Sequence, residues 1–240
     1  MRIAIIFVTA LMMSGSFACR THASFELPGV MLWAWQRPED LRFIDTRTTG
    51  VAYLAGTARI APDGVVEFEP RLQLLKVPAS TGLLAVVRIE DSSAHAGMQT
   101  ASLLESIKQV VRAPGIRGLQ IDFDARVSER RFYRSLLDTL KEQSPVPVGV
   151  TALASWCEGD RWLDDTGVAE AVPMFFRMGK DETRNMNVLS RVCRSSVGLS
   201  MDEPWPLHRP SGVKRIYLFS PRAWDRDVYF QALQRIRDWK

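Results

Sequence analysis

Short apolar runs alternate with amphipathic segments along most of this chain. Eight runs are predicted to be strands: Val30–Trp35, Gly50–Ile60, Gly82–Glu90, Gly118–Asp124, Val146–Ser155, Ala169–Arg177, Ser196–Asp202 and Arg215–Ser220. Apolar residues at helical spacing predict helices over Ala96–Arg112, Ser128–Gln143, Glu182–Arg194 and Asp225–Trp239, and a shorter one over Pro38–Ile44. Strands that alternate with helices indicate an α/β fold with a parallel sheet.

Two connections break the alternation. Arg59–Pro70 contains the turn Pro62-Asp63-Gly64 between strand-like flanks, which predicts a hairpin. Pro204–Gly212 holds three prolines and is no regular helix. The pattern therefore predicts a small (β/α)8 barrel of the TIM type, with degenerate helices after strands 2 and 7. An open doubly wound sheet is the alternative, but its usual glycine-rich turn is missing after the first strand.

The first residues have the pattern of an export signal. Arg2 precedes a short apolar run, and small residues then lead to Cys19, so residues 1–18 are predicted to be a signal peptide. Ser16-Phe17-Ala18 fits an ordinary cleavage site, and with Cys19 it also resembles a loose lipobox. We favour cleavage before a lipidated Cys19, which anchors the protein to a membrane of the cell envelope; the alternative is a soluble periplasmic protein. Residues 19–28 are predicted to be a short linker and 29–240 a single barrel domain.

Charge and motifs exclude several classes of function. The chain has 31 basic and 27 acidic residues, a net charge of +4, and no basic run, so nucleic-acid binding is not expected. No zinc-like histidine spacing, P-loop or GxSxG motif is present, and no metal or cofactor is predicted. The alternative is a divalent-ion site to which Asp202 and Glu203 contribute together with Asp122 or Asp124. In a regular barrel Cys157 and Cys193 lie at opposite ends, which predicts two unbridged thiols.

The run Gly118–Asp124 combines strand alternation with acidic residues. Leu119, Ile121 and Phe123 belong to one face, and Gln120, Asp122 and Asp124 belong to the other. Two carboxylates close together repel each other and cost free energy unless they have partners or a function. The competing interpretation is that Asp124 simply caps the helix that follows.

Sites in barrels lie at the C-terminal ends of the strands, which here carry many acids and tryptophans. The candidate catalytic residues are Asp124, Asp122, Glu90, Asp202 and Glu203. The candidate substrate-binding residues are Trp33, Trp35, Gln36, Arg88, Trp156, Glu158, Arg177 and Trp205. Carboxylates among aromatic rings are typical of a carbohydrate site, where the rings stack on sugars and an acid protonates the glycosidic oxygen. The alternative is that the tryptophans are core and the acids pair with arginine.

The sequence GLQIDFDA at 118–125 resembles the fourth-strand signature DG-x-D-x-D-x-E of the chitinase-like glycoside hydrolase family 18. In that comparison Asp122 matches the last aspartate of the motif, Asp124 replaces the catalytic glutamate, and Gln120 replaces the preceding aspartate. The segments VMLWAWQRPEDLRFID, ALASWCEGDRWL and VPMFFRMG, together with IDFDA, resemble a second family. This is an uncharacterised family of bacterial exported proteins, catalogued as domain of unknown function 3142. The second resemblance implies an exported barrel, often a lipoprotein.

These observations predict an exported, glycoside-hydrolase-like barrel that acts on a cell-envelope or extracellular glycan by carboxylate acid/base chemistry. Asp124 is the expected general acid, and Asp122 positions or stabilises the charged intermediate. The substitution of the glutamate and the presence of Gln120 motivate the alternative, a non-catalytic envelope lipoprotein that binds a glycan or another partner.

Overall fold

A computed structural model describes residues 24–91, 100–177 and 189–240 of the chain. The predicted signal peptide, Cys19 and most of the predicted helix at 182–194 lie outside these residues. In the described ranges, no helix has the length and apolar character needed to cross a membrane.

Eight parallel strands form a closed barrel. In order around it they are β1 (Val30–Ala34), β11 (Arg215–Phe219), β10 (Ser196–Ser200), β9 (Ala171–Met174), β8 (Val148–Leu153), β7 (Ile116–Asp122), β6 (Leu83–Asp91) and β3 (Thr49–Ile60). Pairing of β3 with β1 closes the ring. All eight strands predicted from the sequence are confirmed, as is their closure into a barrel.

The connection after β3 is a hairpin, as predicted. The far half of β3 pairs antiparallel with β4 (Val66–Pro70). Gly64 has φ of 83°, a left-handed conformation that glycine adopts without steric cost, and this lets the turn close tightly. A two-residue strand, β5 (Leu75–Lys76), follows and pairs with β2 (Glu39–Asp40).

In the described ranges three helices pack outside the barrel, and the helix predicted over Pro38–Ile44 is absent. α1 (Thr100–Val111), α2 (Arg130–Gln143) and α3 (Arg226–Asp238) follow β6, β7 and β11. The predicted helix over Pro38–Ile44 is wrong, because the backbone there bonds to a distant segment. The amides of Glu39 and Leu41 donate to the carbonyls of Leu74 and Lys76, and this replaces helical bonding.

Strand alternation separates two apolar clusters. Leu119 and Ile121 of β7, and Phe123 directly after it, face outward into the cluster beneath the helices, which contains Tyr133 of α2. Gln120 belongs to the opposite face and bonds to Trp33, which is part of the smaller cluster inside the barrel. The two faces predicted for the Gly118–Asp124 run are therefore confirmed.

The N-terminal end of the barrel is filled by Phe25. A Cβ at Gly118 would lie 2.3 Å from its ring, and one at Gly149 would lie 2.8 Å away, so only glycine leaves room for it. Arg215 donates to the carbonyl oxygens of Phe25, Leu27 and Pro28 and pairs with buried Glu170 at 2.6 Å. The end of the segment predicted as a linker thus packs into the domain.

The prediction that Cys157 and Cys193 stay unbridged is wrong. They form a disulfide with their Cα atoms 5.9 Å apart, and both are fully buried. The prediction assumed that a regular helix carries Cys193 to the far end of the barrel. Cys193 instead lies in a 3-10 turn, Arg191–Cys193, beside the π-helical turn Trp156–Asp160. The amide of Ser190 donates to the carbonyl of Cys157 at 2.7 Å, which fixes the two turns together.

Candidate functional site

A cleft of 660 Å³ opens at the C-terminal ends of the barrel strands. Seven of the thirteen candidate residues line it: Trp33, Trp35, Gln36, Arg88, Asp122, Asp124 and Arg177. Its remaining walls come from Thr151, Leu153, Ala154, Ser155, Met174, Phe176 and Phe219. The cleft therefore unites residues from six strands or the segments that follow them.

Asp122 forms the acidic floor of the cleft. Only 8% of the residue is exposed, and its Oδ1 accepts a hydrogen bond of 2.5 Å from the hydroxyl of Thr151. Burial raises the pKa of this carboxyl, and the neighbouring Asp124 raises it further, while the Thr151 bond and the charge of Arg88 act in the opposite direction. Asp122 is thus a carboxyl that holds its proton more strongly than an ordinary aspartate does.

Asp124 lies at the mouth of the cleft and is exposed. The interpretation of Asp124 as a helix cap is not supported. The turn before α2 is closed by Glu129, whose carboxylate accepts a 2.5 Å bond from the amide of Arg126. Within the described residues, Asp124 has no ion pair. The two acids therefore differ in environment, one buried at the floor and one in contact with solvent.

Beneath the acids, Gln120 bonds to a tryptophan of the opposite wall. The indole N–H of Trp33 donates to Gln120 Oε1 at 3.1 Å. Gln120 Nε2 is buried and has no partner in the part of the chain that the structure describes. Most buried amide donors are bonded, so this group is an unused donor under the cleft floor.

Asp122→Asn is expected to raise the melting temperature at neutral pH. Because the folded state raises the pKa of Asp122, it binds more protons than the unfolded state at pH values above the unfolded pKa of about 3.8. The wild type consequently loses stability as pH rises from the unfolded pKa through the folded pKa of Asp122. Asparagine avoids this loss because it does not titrate, and its side-chain oxygen can still accept the hydrogen bond from Thr151.

Thermal melts of wild type and variant at about pH 3 and about pH 7.5 measure the effect. The gain should be present at the higher pH and absent at the lower one. Asp138→Asn, at an exposed carboxylate on α2 that pairs with Lys141, is the control and should show no such gain. A variant less stable than wild type at neutral pH would contradict the assignment.

An aromatic wall lies across the cleft from the acids. Phe176 and Phe219 stack with ring centroids 5.7 Å apart, and Phe176 also meets Trp33 edge to face at 6.0 Å. Trp35 is half-buried and lines the same cleft. β11, which ends in Phe219, is separated from β7 by three strands in either direction around the barrel. The cleft thus has an acidic side and an aromatic side.

Two half-buried arginines fix the chain that carries Trp35. The guanidinium of Arg71 donates to the carbonyls of Ala34, Trp35 and Arg37. Arg37 in turn pairs with Glu39 at 2.8 Å, and Glu39 accepts from the amide of Trp224 after β11. These contacts join the ends of β1 and β11, so the aromatic side is held by hydrogen bonds as well as by packing.

A smaller cavity of 210 Å³ adjoins the acids on the side of β6. It is lined by Glu90, which the sequence placed among the catalytic candidates, and shares Arg88, Asp122 and Asp124 with the main cleft. Glu90 pairs with Arg59 and, at 3.1 Å, with Arg88. Its carboxylate is therefore part of an ion-pair network and lies outside the main cleft.

Five further candidates also lie outside the cleft. Trp156 is buried against Trp162, with ring centroids 5.1 Å apart, and Glu158 lies in the same turn. Asp202 accepts a hydrogen bond from the hydroxyl of Ser200. Trp205 packs on Trp239 and under the guanidinium of Arg235, and Glu203 binds the amide of Arg177. Each follows a strand, but none of the five lines the cleft.

Thr151 and Phe219 were missed by the sequence interpretation. Both point inward because they alternate with outward residues of their strands, and Thr151 pairs in the barrel interior with Asp122. The period-two pattern that identified Asp122 could have found them too. Neither has a charged or otherwise distinctive side chain, and for that reason they were not singled out.

Comparisons with protein-family models, with curated proteins and with solved structures found no match. The resemblances to two families therefore stay predictions that rest on the motifs. Among the described residues no group of three or more histidine, cysteine, aspartate or glutamate side chains is arranged to hold a metal ion.

Proposed function

We propose that this protein binds a glycan in the barrel cleft and cleaves it by acid/base chemistry at Asp122 and Asp124. The observation that carries the proposal is the paired environment of these acids, a buried carboxyl with a raised pKa beneath an exposed one, opposite aromatic rings in an open cleft. Pairs of carboxyls with different environments are the usual means of dividing acid and base roles.

In this mechanism Asp124, at the mouth, delivers the proton held by the acid pair to the glycosidic oxygen as the bond from that oxygen to the anomeric carbon breaks. A water molecule attacks the anomeric carbon and returns a proton to the pair, so both acids end in their starting state. Asp122, whose burial raises its pKa, is the member of the pair that holds the shared proton more strongly. Sugar rings stack on Trp35, whose apolar face suits the C–H faces of a pyranose. Thr151 orients Asp122 through the 2.5 Å hydrogen bond.

We also propose a fold type and a cellular location for the protein. The closed parallel barrel, with helices after three of its strands, supports a (β/α)8 barrel of the TIM type, and the cleft lies where sites of such barrels lie. The buried disulfide supports export, because such bonds persist in oxidising compartments. Removal of a signal peptide before Cys19, with lipidation of that residue, is the proposed route to the envelope.

A non-catalytic glycan-binding protein is the second candidate. The observation in its favour is that Glu90, Glu158, Asp202 and Glu203 all lie outside the main cleft. Among the described residues, Asp122 and Asp124 are the two carboxylates that line it. Many glycoside hydrolases need a second carboxylate on the opposite side of the scissile bond, and no described carboxylate lines that side of the main cleft.

A screen of the purified protein against cell-wall and capsular oligosaccharides tests glycan binding, with Trp35→Ala as the site-specific variant. We expect Trp35→Ala to weaken the affinity of any bound glycan by about tenfold or more, because it removes the apolar surface on which a sugar stacks. Isothermal titration calorimetry gives the dissociation constants, and release of reducing ends reports cleavage.

Trp205→Ala is the matched control, since Trp205 was predicted to bind sugar but lies outside the cleft. It should leave glycan affinity unchanged even where it lowers the melting temperature. If Trp205→Ala weakened binding and Trp35→Ala did not, the binding site would be elsewhere.

A further inference from the structure

We propose that the glycan bound in the cleft is anionic, and that the guanidinium of Arg177 holds its carboxylate or phosphate group. The inference rests on the proposed glycan-binding function and adds to it the charge of the sugar. Arg177 lies at the rim of the cleft, after β9, and is exposed.

The backbone of Arg177 is held in an unusual conformation. Its φ is 55°, in the left-handed region, which is sterically unfavourable for a non-glycine residue. The amide of Arg177 donates to both carboxylate oxygens of Glu203, at 2.9 and 3.1 Å. Glu203 thus fixes the point at which the arginine side chain starts, and residues kept in such conformations cluster at ligand sites.

The guanidinium of Arg177 lies against the aromatic side of the cleft. It lies over the ring of Phe219, with its central carbon 5.3 Å from the ring centroid. Stacking uses the face of the guanidinium and leaves the N–H groups along its edge for a bidentate contact with a carboxylate or phosphate. Among the described residues, no carboxylate forms an ion pair with Arg177. The other cleft arginine, Arg88, already bonds to Glu90 through Nε.

The arrangement of charges gives an anionic ligand one orientation. Asp122 and Asp124 lie on β7 or just after it, and Phe219, which supports Arg177, ends a strand on the opposite side of the barrel. Negative charge on a ligand is repelled by exposed Asp124 and attracted by Arg177. A sugar stacked on the aromatic side therefore directs its anionic group to Arg177 and its glycosidic oxygen to the acids.

Calorimetric titrations with matched ligands test this inference. The probes are oligogalacturonate and hyaluronan hexamers, the same oligosaccharides after chemical reduction of their carboxylates to neutral alcohols, and a phosphomannan oligosaccharide. At least one uronate probe or the phosphomannan is expected to bind, and the carboxyl-reduced form of a bound uronate to bind about tenfold more weakly. Raising the salt concentration should weaken the anionic ligand selectively.

Variants of Arg177 locate the contact. Arg177→Gln should lower affinity for the anionic ligand about tenfold and leave affinity for a neutral oligosaccharide unchanged. Arg177→Lys keeps the charge but lacks the planar edge, so its affinity for the anionic ligand should lie between those of wild type and Arg177→Gln. Arg131→Gln, at an exposed arginine of α2, is the matched control and should change neither the affinity for the anionic ligand nor that for the neutral oligosaccharide. Melting temperatures verify that each variant is folded.

Each outcome decides between the proposals. Equal affinity for native and carboxyl-reduced glycans, with no phosphomannan binding, overturns the anionic assignment and leaves glycan binding intact. An anionic preference that Arg177→Gln does not alter removes Arg177 from the contact and overturns the inference. Tighter binding of phosphomannan identifies phosphate as the group and supports the role of Arg177. Failure of every oligosaccharide, neutral or anionic, to bind overturns the proposed function itself.

Discussion

Asp124→Asn is expected to lower kcat on a cleaved glycan by about 10²–10⁴-fold while leaving the affinity for that glycan nearly unchanged. Asp124 is exposed and has no ion pair among the described residues, so the amide removes its proton chemistry without disturbing packing. Asp122→Asn should lower kcat by a similar factor, because asparagine cannot take up and release the proton that the acid pair shares. Initial rates of reducing-end release and calorimetric dissociation constants separate the two effects.

The pH profile and a matched control sharpen this prediction. Activity should fall as pH rises through the raised pKa of Asp122, since the pair then loses the proton it needs. Asp138→Asn, at an exposed acid on α2, should retain full activity. Undiminished turnover by Asp124→Asn would assign the chemistry to another group. A glycan that binds wild type and Asp124→Asn alike, with no turnover by either, would favour the non-catalytic alternative.

Loss of the disulfide is expected to lower the free energy of unfolding by about 3–4 kcal/mol in the double variant Cys157→Ala/Cys193→Ala. The bond closes a loop with a sequence separation of 36 residues, so its removal frees much conformational entropy in the unfolded chain. It also releases the turn after β8, whose preceding residues Ala154 and Ser155 line the cleft. Glycan affinity should therefore fall as well.

Urea unfolding of wild type with and without reductant measures the contribution of the bond. Reductant should shift the wild-type midpoint toward that of the double alanine variant and leave the variant itself unchanged. Alanine is preferred to serine because both sites are fully buried and a hydroxyl there has a desolvation cost. If reductant added at unfolding concentrations of urea left the wild-type midpoint unchanged, the two sulfurs would not be bonded.

The strands and the acidic face of β7 could be predicted because both depend on local alternation. In Leu119 to Asp124 every second residue is apolar, and the barrel places each set on the expected side. A parallel barrel also places all strand ends together, so Trp35, Arg88 and Asp122 were correctly expected at one mouth.

The structure differs from the sequence prediction where the chain leaves a strand without entering a regular helix. Trp156 follows β8 by three residues, and a π-helical turn carries it into contact with Trp162 instead of the cleft. The same turn brings Cys157 to Cys193. Irregular turns have no periodic signal, because long-range contacts such as the bond from Ser190 to Cys157 determine their shape.

The position of Phe25 has a consequence for the proposed lipid anchor at Cys19. Phe25 enters the barrel at the end opposite the cleft, and only six positions separate it from Cys19. Six residues span at most about 20 Å even when fully extended. A lipid on Cys19 would therefore hold the sealed end of the barrel close to the bilayer and direct the cleft away from it. A protein tethered in this way would sample glycans that stand above the membrane surface, and lipid headgroups would lie beneath its closed base.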